Sequence, residues 1–405
     1  VPNTLGVYNP IFYAQEALIW LQKALGLANR VHMGFDAERR AFGKGDTINI
    51  RRPSIFTAAA APASASDLAT ETVAITLGQW FEVKFALTDK ELAYTQDRII
   101  SDHIMPASYA LADKIDQDLA SLVITVPHAY VEASAATAAT VKGLAETRQR
   151  LFDLKCPLKD SENMFFMVGG QEESDLLQLA AFSQWQGAGA AGVDTQATGA
   201  LGRKYGFEFF ANQNRTTAVY DNISDFAGAI NNAAGYAKGA TSIAVDGLGA
   251  AEVYKKGTII TMSSGADSGS EYALTADATM VAGGATVTIN PGLRNAVADN
   301  DTFRIGDPTG AGSANAQDNV TDNLNVGFHR GWAALAFARL PDFDEFTNRL
   351  GAEIASVQDP VTGLAVRSRI YYVGASSKIE VALDVLYGFK ELDADLACRY
   401  EVKKE

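Results

Sequence analysis

VAITLGQWFEVKFAL (73–87) places Val73, Ile75, Leu77, Phe81, Val83, Phe85 and Leu87 on one parity, with Gln79 alone breaking the row. That is the period-two pattern of a strand with one apolar face. Fifteen strand residues at about 3.3 Å each span roughly 50 Å. A domain of about 150 residues has a radius of gyration near 15 Å, so a straight strand of this length overshoots it. Gly78 stands where the run can bend. Upstream, FGKGDTINIRRP (42–53) alternates Ile48 and Ile50 with polar residues and stops at Pro53. Between the two runs lies TAAAAPASAS (57–66), a loop of small side chains. Together they read as an extended hairpin arm. A two-stranded ribbon has little core of its own, so a projecting arm implies a partner to lie on.

Composition frames this arm. The chain has 405 residues, 47% hydrophobic and 20% charged, a prior of two to three folded domains with ample core. Thirty-four Lys+Arg against 48 Asp+Glu give a net charge of −14, which argues against a surface built to grip a nucleic-acid backbone. Cys156 and Cys398 match no redox or zinc spacing. VPNTLGVYNP (1–10) has no basic region followed by an apolar core, and no apolar run reaches 18 residues. A soluble, non-exported protein is expected, with no membrane contact.

Outward from the arm, IFYAQEALIWLQKALGL (11–27) has helical spacing behind Pro10 and reads as a further arm that packs on something else. Residues 97–124 carry Ile100, Ile104, Leu111, Ile115, Leu119 and Leu122 at helical intervals, with Pro106 starting or kinking the main helix. Helices are expected over 144–154 and 171–182, flanking the apolar strand MFFMVG (164–169). Residues 220–308 change character: TSIAVDG, KKGTIITMSS, EYALTADAT, ATVTINPGL and DTFRIGD are short alternating strands between turns. Five or six such strands predict a small all-β barrel or sandwich, inserted in the body. A mixed helical pattern resumes over 323–340, and 364–373, 378–386 and 395–402 are three further strands.

Motifs for chemistry are few. GAGAAG (187–192) matches the dinucleotide fingerprint but follows a helix and a polar SQWQ, without the strand-to-helix turn it needs, and reads as a surface loop. No P-loop or nucleophile elbow is present. His32, His103, His128 and His329 are scattered and read as surface or packing histidines. The pairs Asp393/Asp395 and Asp299/Asp301 sit near turns, where Asp caps backbone groups. Trp80, Phe81 and Phe85 read as a packed strand face in preference to a ligand groove. The expectation is a protein with no catalytic, cofactor or metal site.

The order of elements resembles a known family, the major capsid (coat) proteins of tailed bacteriophages with the Hong Kong 97 fold. The likeness is greatest to the P-twenty-two-type coat proteins, which carry an inserted β-barrel. FGKGDTINIRRP, the small-residue loop and VAITLGQWFEVKFALTDKEL resemble the family's extended loop and return strand. The helix from Pro106 through Ile124 resembles its spine helix. NVGFHRGWAALAFARLP resembles the strand-and-helix of its axial domain, and TGLAVRSRIYYV with IEVALDVLYGFKELDADLACRYEV its closing strands, Gly388 included.

The resemblance implies an α+β chain. Its parts are an N-terminal arm (1–44), an extended loop (45–90), a peripheral domain with the spine helix (91–140) and a first axial part (141–219). The inserted barrel (220–308) and the remaining axial and peripheral parts (309–405) follow. It implies a non-enzymatic virion component, assembled in the bacterial cytoplasm, that builds hexamers and pentamers of itself into an icosahedral head. Scaffolding, portal and decoration proteins are the implied partners, and the enclosed double-stranded DNA is held without specific binding. The insert, in that family, aids folding and shell-size control. Some relatives cross-link a loop lysine to a neighbour's asparagine; no lysine lies between Lys44 and Lys84, so no such bond is expected. Candidates for inter-subunit contact are Arg51 and Arg52 with Asp113, Asp116 and Asp118, and the aromatics Trp80 and Phe81. The rival readings are a carbohydrate-binding or adhesin-like surface protein using 220–308, and an α/β nucleotide-binding enzyme using 187–192.

Overall fold

The hairpin runs do pair. In the computed structural model, which describes residues 10–33, 47–51, 61, 72–88, 103–132, 138–184, 195–223, 225–306, 320–341, 352–360 and 362–404, β1 (Thr47–Arg51) and β2 (Thr72–Thr76) are antiparallel. Ile48 faces Ile75 and Ile50 faces Val73. The 73–87 run is not one strand, however. After Leu77 and Gly78 the chain leaves β1, and β3 (Gln79–Thr88) pairs along β21 (Lys378–Glu391), from Gln79 opposite Tyr387 to Thr88 opposite Lys378. The expected 50 Å strand is thus two strands in two sheets. The reason is backbone satisfaction: each segment goes where N–H and C=O partners exist, and β21 offers a partner to all ten residues of β3.

The chain divides into two compact units, one of Val1–Asp116 with Ala333–Leu392 and one of Gln117–Trp332 with Asp393–Glu405. In the first, a sheet runs β18 (Ala333–Ala338), β21, β20 (Ala365–Val373), β19 (Ala352–Gln358), with β3 also on β21. The AALAFA segment, expected as a helix, is strand β18, buried at every position. Its Ala and Leu favour helix in isolation, but pairing with residues 386–391 of β21 overrides that preference. Its small side chains also make a floor: Ile48, Ile50, Ile75 and Leu77 pack on Ala334, Ala336 and Ala338. Burying each of these large side chains is worth about 2 kcal/mol, so the foot of the hairpin is anchored in its own unit.

Helix α1 (Pro10–Ala24) also packs within this unit, on β19 and β20, burying Tyr13, Ala14, Ala17, Leu18 and Leu21. The helix expected to reach away is held by its own sheet. Helix α2 (Met105–Ala120) carries Pro106 in its first turn, where a missing N–H costs nothing.

In the second unit a mixed sheet runs β4 (Ala129–Val131), β22 (Ala397–Lys403), β17 (Thr321–His329), β5 (Met164–Val168), β7 (Phe207–Ala211), β6 (Arg203–Lys204), with β8 (Thr217–Val219) on β17. Helix α3 (Val141–Asp153) is capped by Thr140, whose Oγ1 accepts from the Gly143 N–H at 3.0 Å. The predicted 171–182 helix is two, α4 (Gly170–Gln178) and α5 (Ala180–Ser183). Leu144, Leu151, Phe166, Leu176, Phe182, Phe207 and Tyr400 share one core.

Between β8 and β17 the chain forms a closed six-stranded antiparallel barrel. Its strands are β9 (Ala227–Ile230), β10 (Ser242–Asp246), β12 (Ile259–Met262), β13 (Glu271–Leu274), β15 (Ala285–Asn290) and β16 (Thr302–Ile305). A small ribbon of β11 (Val253–Tyr254) and β14 (Ala278–Thr279) accompanies it. Closure leaves no free barrel edge. Ile230, Ile243, Val245, Ile260, Met262, Tyr272, Val287, Ile289 and Phe303 fill it. The strand leading in and the strand leading out pair with each other, Val219 opposite Thr321.

Candidate functional site

The contact candidates fall in different settings. Arg51 ends β1 opposite Thr72; its side chain, and Arg52 entirely, lie outside the described residues, as does GAGAAG (187–192). Asp113 is exposed and Asp118 half-buried on α2. Asp116 is a correction to the expected surface role, because it is 5% exposed. Its carboxylate accepts from the backbone N–H groups of Gly26 (2.7 Å), Leu27 (3.1 Å) and Ala28 (2.9 Å). These are donors left over beyond the end of α1, and burial raises the Asp116 pKa against their opposing pull. Asp116 therefore ties α1 down instead of reaching a neighbour.

Trp80 and Phe81 point to opposite faces of β3, as alternation requires. Phe81 is half-buried, its ring 6.1 Å from that of Tyr387 and 4.8 Å from the Lys114 ammonium. Trp80 is 58% exposed, yet its Nε1 donates to Asp384 Oδ2 at 3.1 Å. Asp384 is fully buried and also accepts from Arg367, Nε to Oδ1 at 3.1 Å and Nη2 to Oδ2 at 2.5 Å. Arg369 stands 3.5 Å from the same carboxylate and pairs with Glu82. On this face Lys84 also pairs with Glu380 at 2.5 Å. Charges thus cross-brace β3, β21 and β20, and an exposed indole rides on the brace. The sequence reading missed Arg367 and Asp384. The available signal was two arginines and an aspartate inside otherwise apolar closing strands.

A second group fastens the barrel to the rest of its unit. His128 is 4% exposed. Its Nδ1 lies 2.8 Å from Glu271 Oε2 and its Nε2 3.1 Å from Asp395 Oδ1. Arg150 Nη1 donates to Glu271 Oε1 at 2.7 Å, and Arg294 donates to both Asp395 oxygens. Burial opposes charge on Glu271 and Asp395, but their cationic partners outweigh it and hold both carboxyls below the usual range. Further in, fully buried Arg399 pairs with Glu401 at 3.2 Å. It donates to the carbonyls of Gly257 (2.9 Å) and Ile124 (3.1 Å). Gly257 sits at φ +90°, and a Cβ there would strike Ile124. Asn290 adds a bond to the Thr125 carbonyl at 2.9 Å. His128, expected as a surface or packing histidine, is an ionic tie. Asp393 does cap its turn, accepting from the Asp395 N–H.

A cleft of about 380 Å³ beside this tie is lined by His128, Glu146, Gln149, Arg150, Asp153 and Glu271, among others. Of its charged side chains, His128 and Arg150 are both engaged with Glu271. Both cysteines are buried free thiols, pushed by burial up to about 12. Among the described residues no group of His, Cys, Asp and Glu is arranged to hold a metal. No helix among them is long and apolar enough to cross a membrane.

No protein family's model and no curated protein matches the chain. Among solved structures the chain is similar to bacteriophage particles. One is of Mycobacterium phage Che8, 12% identical with a TM-score of 0.48, covering 93% of this chain and 90% of that one. The capsid of the Cyanophage P-SCSP1u is 11% identical with a TM-score of 0.44, covering 89% and 85%. The capsid of Ralstonia phage GP4 is 11% identical with a TM-score of 0.41, covering 90% and 85%.

Proposed function

We propose that the chain is the major capsid protein of a tailed bacteriophage, which self-assembles into the icosahedral head shell around double-stranded DNA. The observation that carries this reading is the β1–β2 ribbon. Its foot is locked on Ala334, Ala336 and Ala338, and its return strand continues past Gly78 into ten paired residues on β21. A ribbon so rooted is braced to bear load between subunits, as the extended loop of the Hong Kong 97 fold does. The six-stranded barrel between β8 and β17 supports the same reading, as the counterpart proposed here of the insert that the resemblance to P-twenty-two-type coat proteins implies. Many identical modest contacts then sum to a stable shell without any single tight interface.

Trp80, Arg51, Arg52, Asp113 and Asp118 are the residues proposed to meet neighbouring subunits. Exposed ion pairs are individually weak, so their value lies in repetition around the shell. A net charge of −14 suits a wall that encloses DNA without holding it. Scaffolding, portal and decoration proteins are the proposed partners, and the host cytoplasm the proposed place of assembly. Electron microscopy and size-exclusion chromatography of the expressed chain test the proposal: shells or capsomer rings are expected, and a stable monomer or dimer under all assembly conditions would remove it.

A further inference from the structure

The barrel is seated by buried charges whose protonation is written into their geometry. Both nitrogens of His128 face carboxylates, one from the barrel (Glu271) and one from the body (Asp395). A neutral imidazole carries a single N–H, so it can donate to only one of them; the imidazolium donates to both. Arg294 Nη2 lies 3.2 Å from His128 Nε2. Once the proton leaves, that nitrogen accepts from Arg294 instead of donating to Asp395, and the Glu271 bond loses the positive charge of its donor. The charged groups facing His128 from the packed elements are Arg150 on α3, Glu271 on β13, Arg294 in the turn after β15, and Asp395 with Asp393 before β22.

The barrel's stem holds a second such group. Asp322 lies on β17 opposite Ala218 of β8, where the chain returns from the barrel. It is 3% exposed, and its Oδ2 has no hydrogen-bond partner among the described residues. Around it stand Glu401, Arg399, Lys403 and the buried Tyr220, whose hydroxyl donates to Glu401 at 3.3 Å. Arg399 is already shared between Glu401, Gly257 and Ile124. Burial, one carboxylate oxygen without a partner and the neighbouring Glu401 charge all favour the neutral acid at Asp322.

We propose that the seat of the barrel is a proton-dependent latch, in which His128 as the imidazolium and Asp322 as the neutral acid hold the barrel on the body, and loss of these protons loosens it. The two titrations act in the same direction. Burial alone would lower the His128 pKa, but its bonds to Asp395 and Glu271 outweigh that and raise it. Its contribution is complete below the unfolded imidazole value of about 6.5 and is lost as pH rises through the folded value. Burial, then the Glu401 charge, raises Asp322 to about 8, so its contribution is lost between the unfolded carboxyl value and that pH. All groups of the latch belong to one chain, so it operates in the single subunit whether or not the chain assembles.

Hydrogen exchange of the purified full chain, read by mass spectrometry over 217–219, 270–274 and 321–323 and corrected for intrinsic rates, tests the latch. Between pH 5.5 and 8.5 the wild type should lose about tenfold or more of its protection in these segments. Asp322→Asn, permanently neutral and of the same shape, should show a clearly smaller loss. His128→Gln should exchange fast at pH 5.5 already. If His128→Gln does not fold, Asp322→Asn carries the test alone. Equal wild-type protection at the two pH values, or the same loss in wild type and Asp322→Asn, would overturn the proposal.

Discussion

Gly388 lies directly under the main-chain carbonyl oxygen of Thr76, so close that a Cβ at position 388 would overlap that oxygen. The contact joins the foot of the hairpin to the long strand β21. The clashing atoms are backbone, held by the β1–β2 ladder, and cannot swing aside as a side-chain tip would.

Gly388→Ala should therefore cost about 2–3 kcal/mol, in the range of overpacked cores. Chemical denaturation of the unassembled chain measures it. A midpoint unchanged from wild type would mean that the foot can slide on its floor.

Asp384 is fully buried with Arg367, Arg369 and Trp80 on its oxygens. Arg367→Met leaves a buried carboxylate short of its main partner and should destabilise by about 3–5 kcal/mol. The double change Arg367→Met with Asp384→Leu removes both charges and should recover much of the loss. Thermal unfolding of the two singles and the double closes the cycle; strictly additive losses would deny the coupling.

The gain in stability from Asp322→Asn should depend on pH with a definite sign. The native state holds the Asp322 proton up to about pH 8, whereas the unfolded chain releases it near pH 4. Wild type is thus progressively penalised across that window and Asn is not. The stability difference should grow from pH 4 to pH 8 and then level off, as read from urea unfolding at each pH. A difference independent of pH would contradict the buried-acid assignment.

Arg51→Glu places a negative charge at the end of β1, where the proposed shell contact begins. Assembly should fail while circular dichroism and the melting temperature of the monomer stay near wild type. Normal particles from this variant would take Arg51 off the interface.

Assembled particles boiled in denaturant should give a single monomer band on a gel, because no lysine lies between Lys44 and Lys84 to supply a loop nucleophile. A ladder of covalent oligomers would show a bond formed elsewhere.

Elements set by local periodicity were legible from the sequence. Ile48 and Ile50 against Val73 and Ile75 define two strands by alternation alone, and turn residues between short alternating runs mark the six-stranded barrel. Two features were not legible, because their signals are not local. AALAFA has the composition of a helix and becomes a strand only because β21 offers it a ladder. The ionic ties depend on what the fold brings together: His128 and Glu271 lie far apart in the chain, and Arg367 meets Asp384 only through the register of β20 on β21, which no local spacing rule supplies.

The 73–87 run shows the division most plainly. Its parity determined, from the sequence by itself, which side chains of 73–87 face inward: Ile75 and Leu77 are buried, and Phe81, Val83, Phe85 and Leu87 half-buried. Only the tertiary structure decided that the run breaks at Gly78 and serves two sheets. The alternation of side chains is a property of one strand, whereas the choice of hydrogen-bonding partner is a property of whatever backbone the rest of the fold brings alongside it.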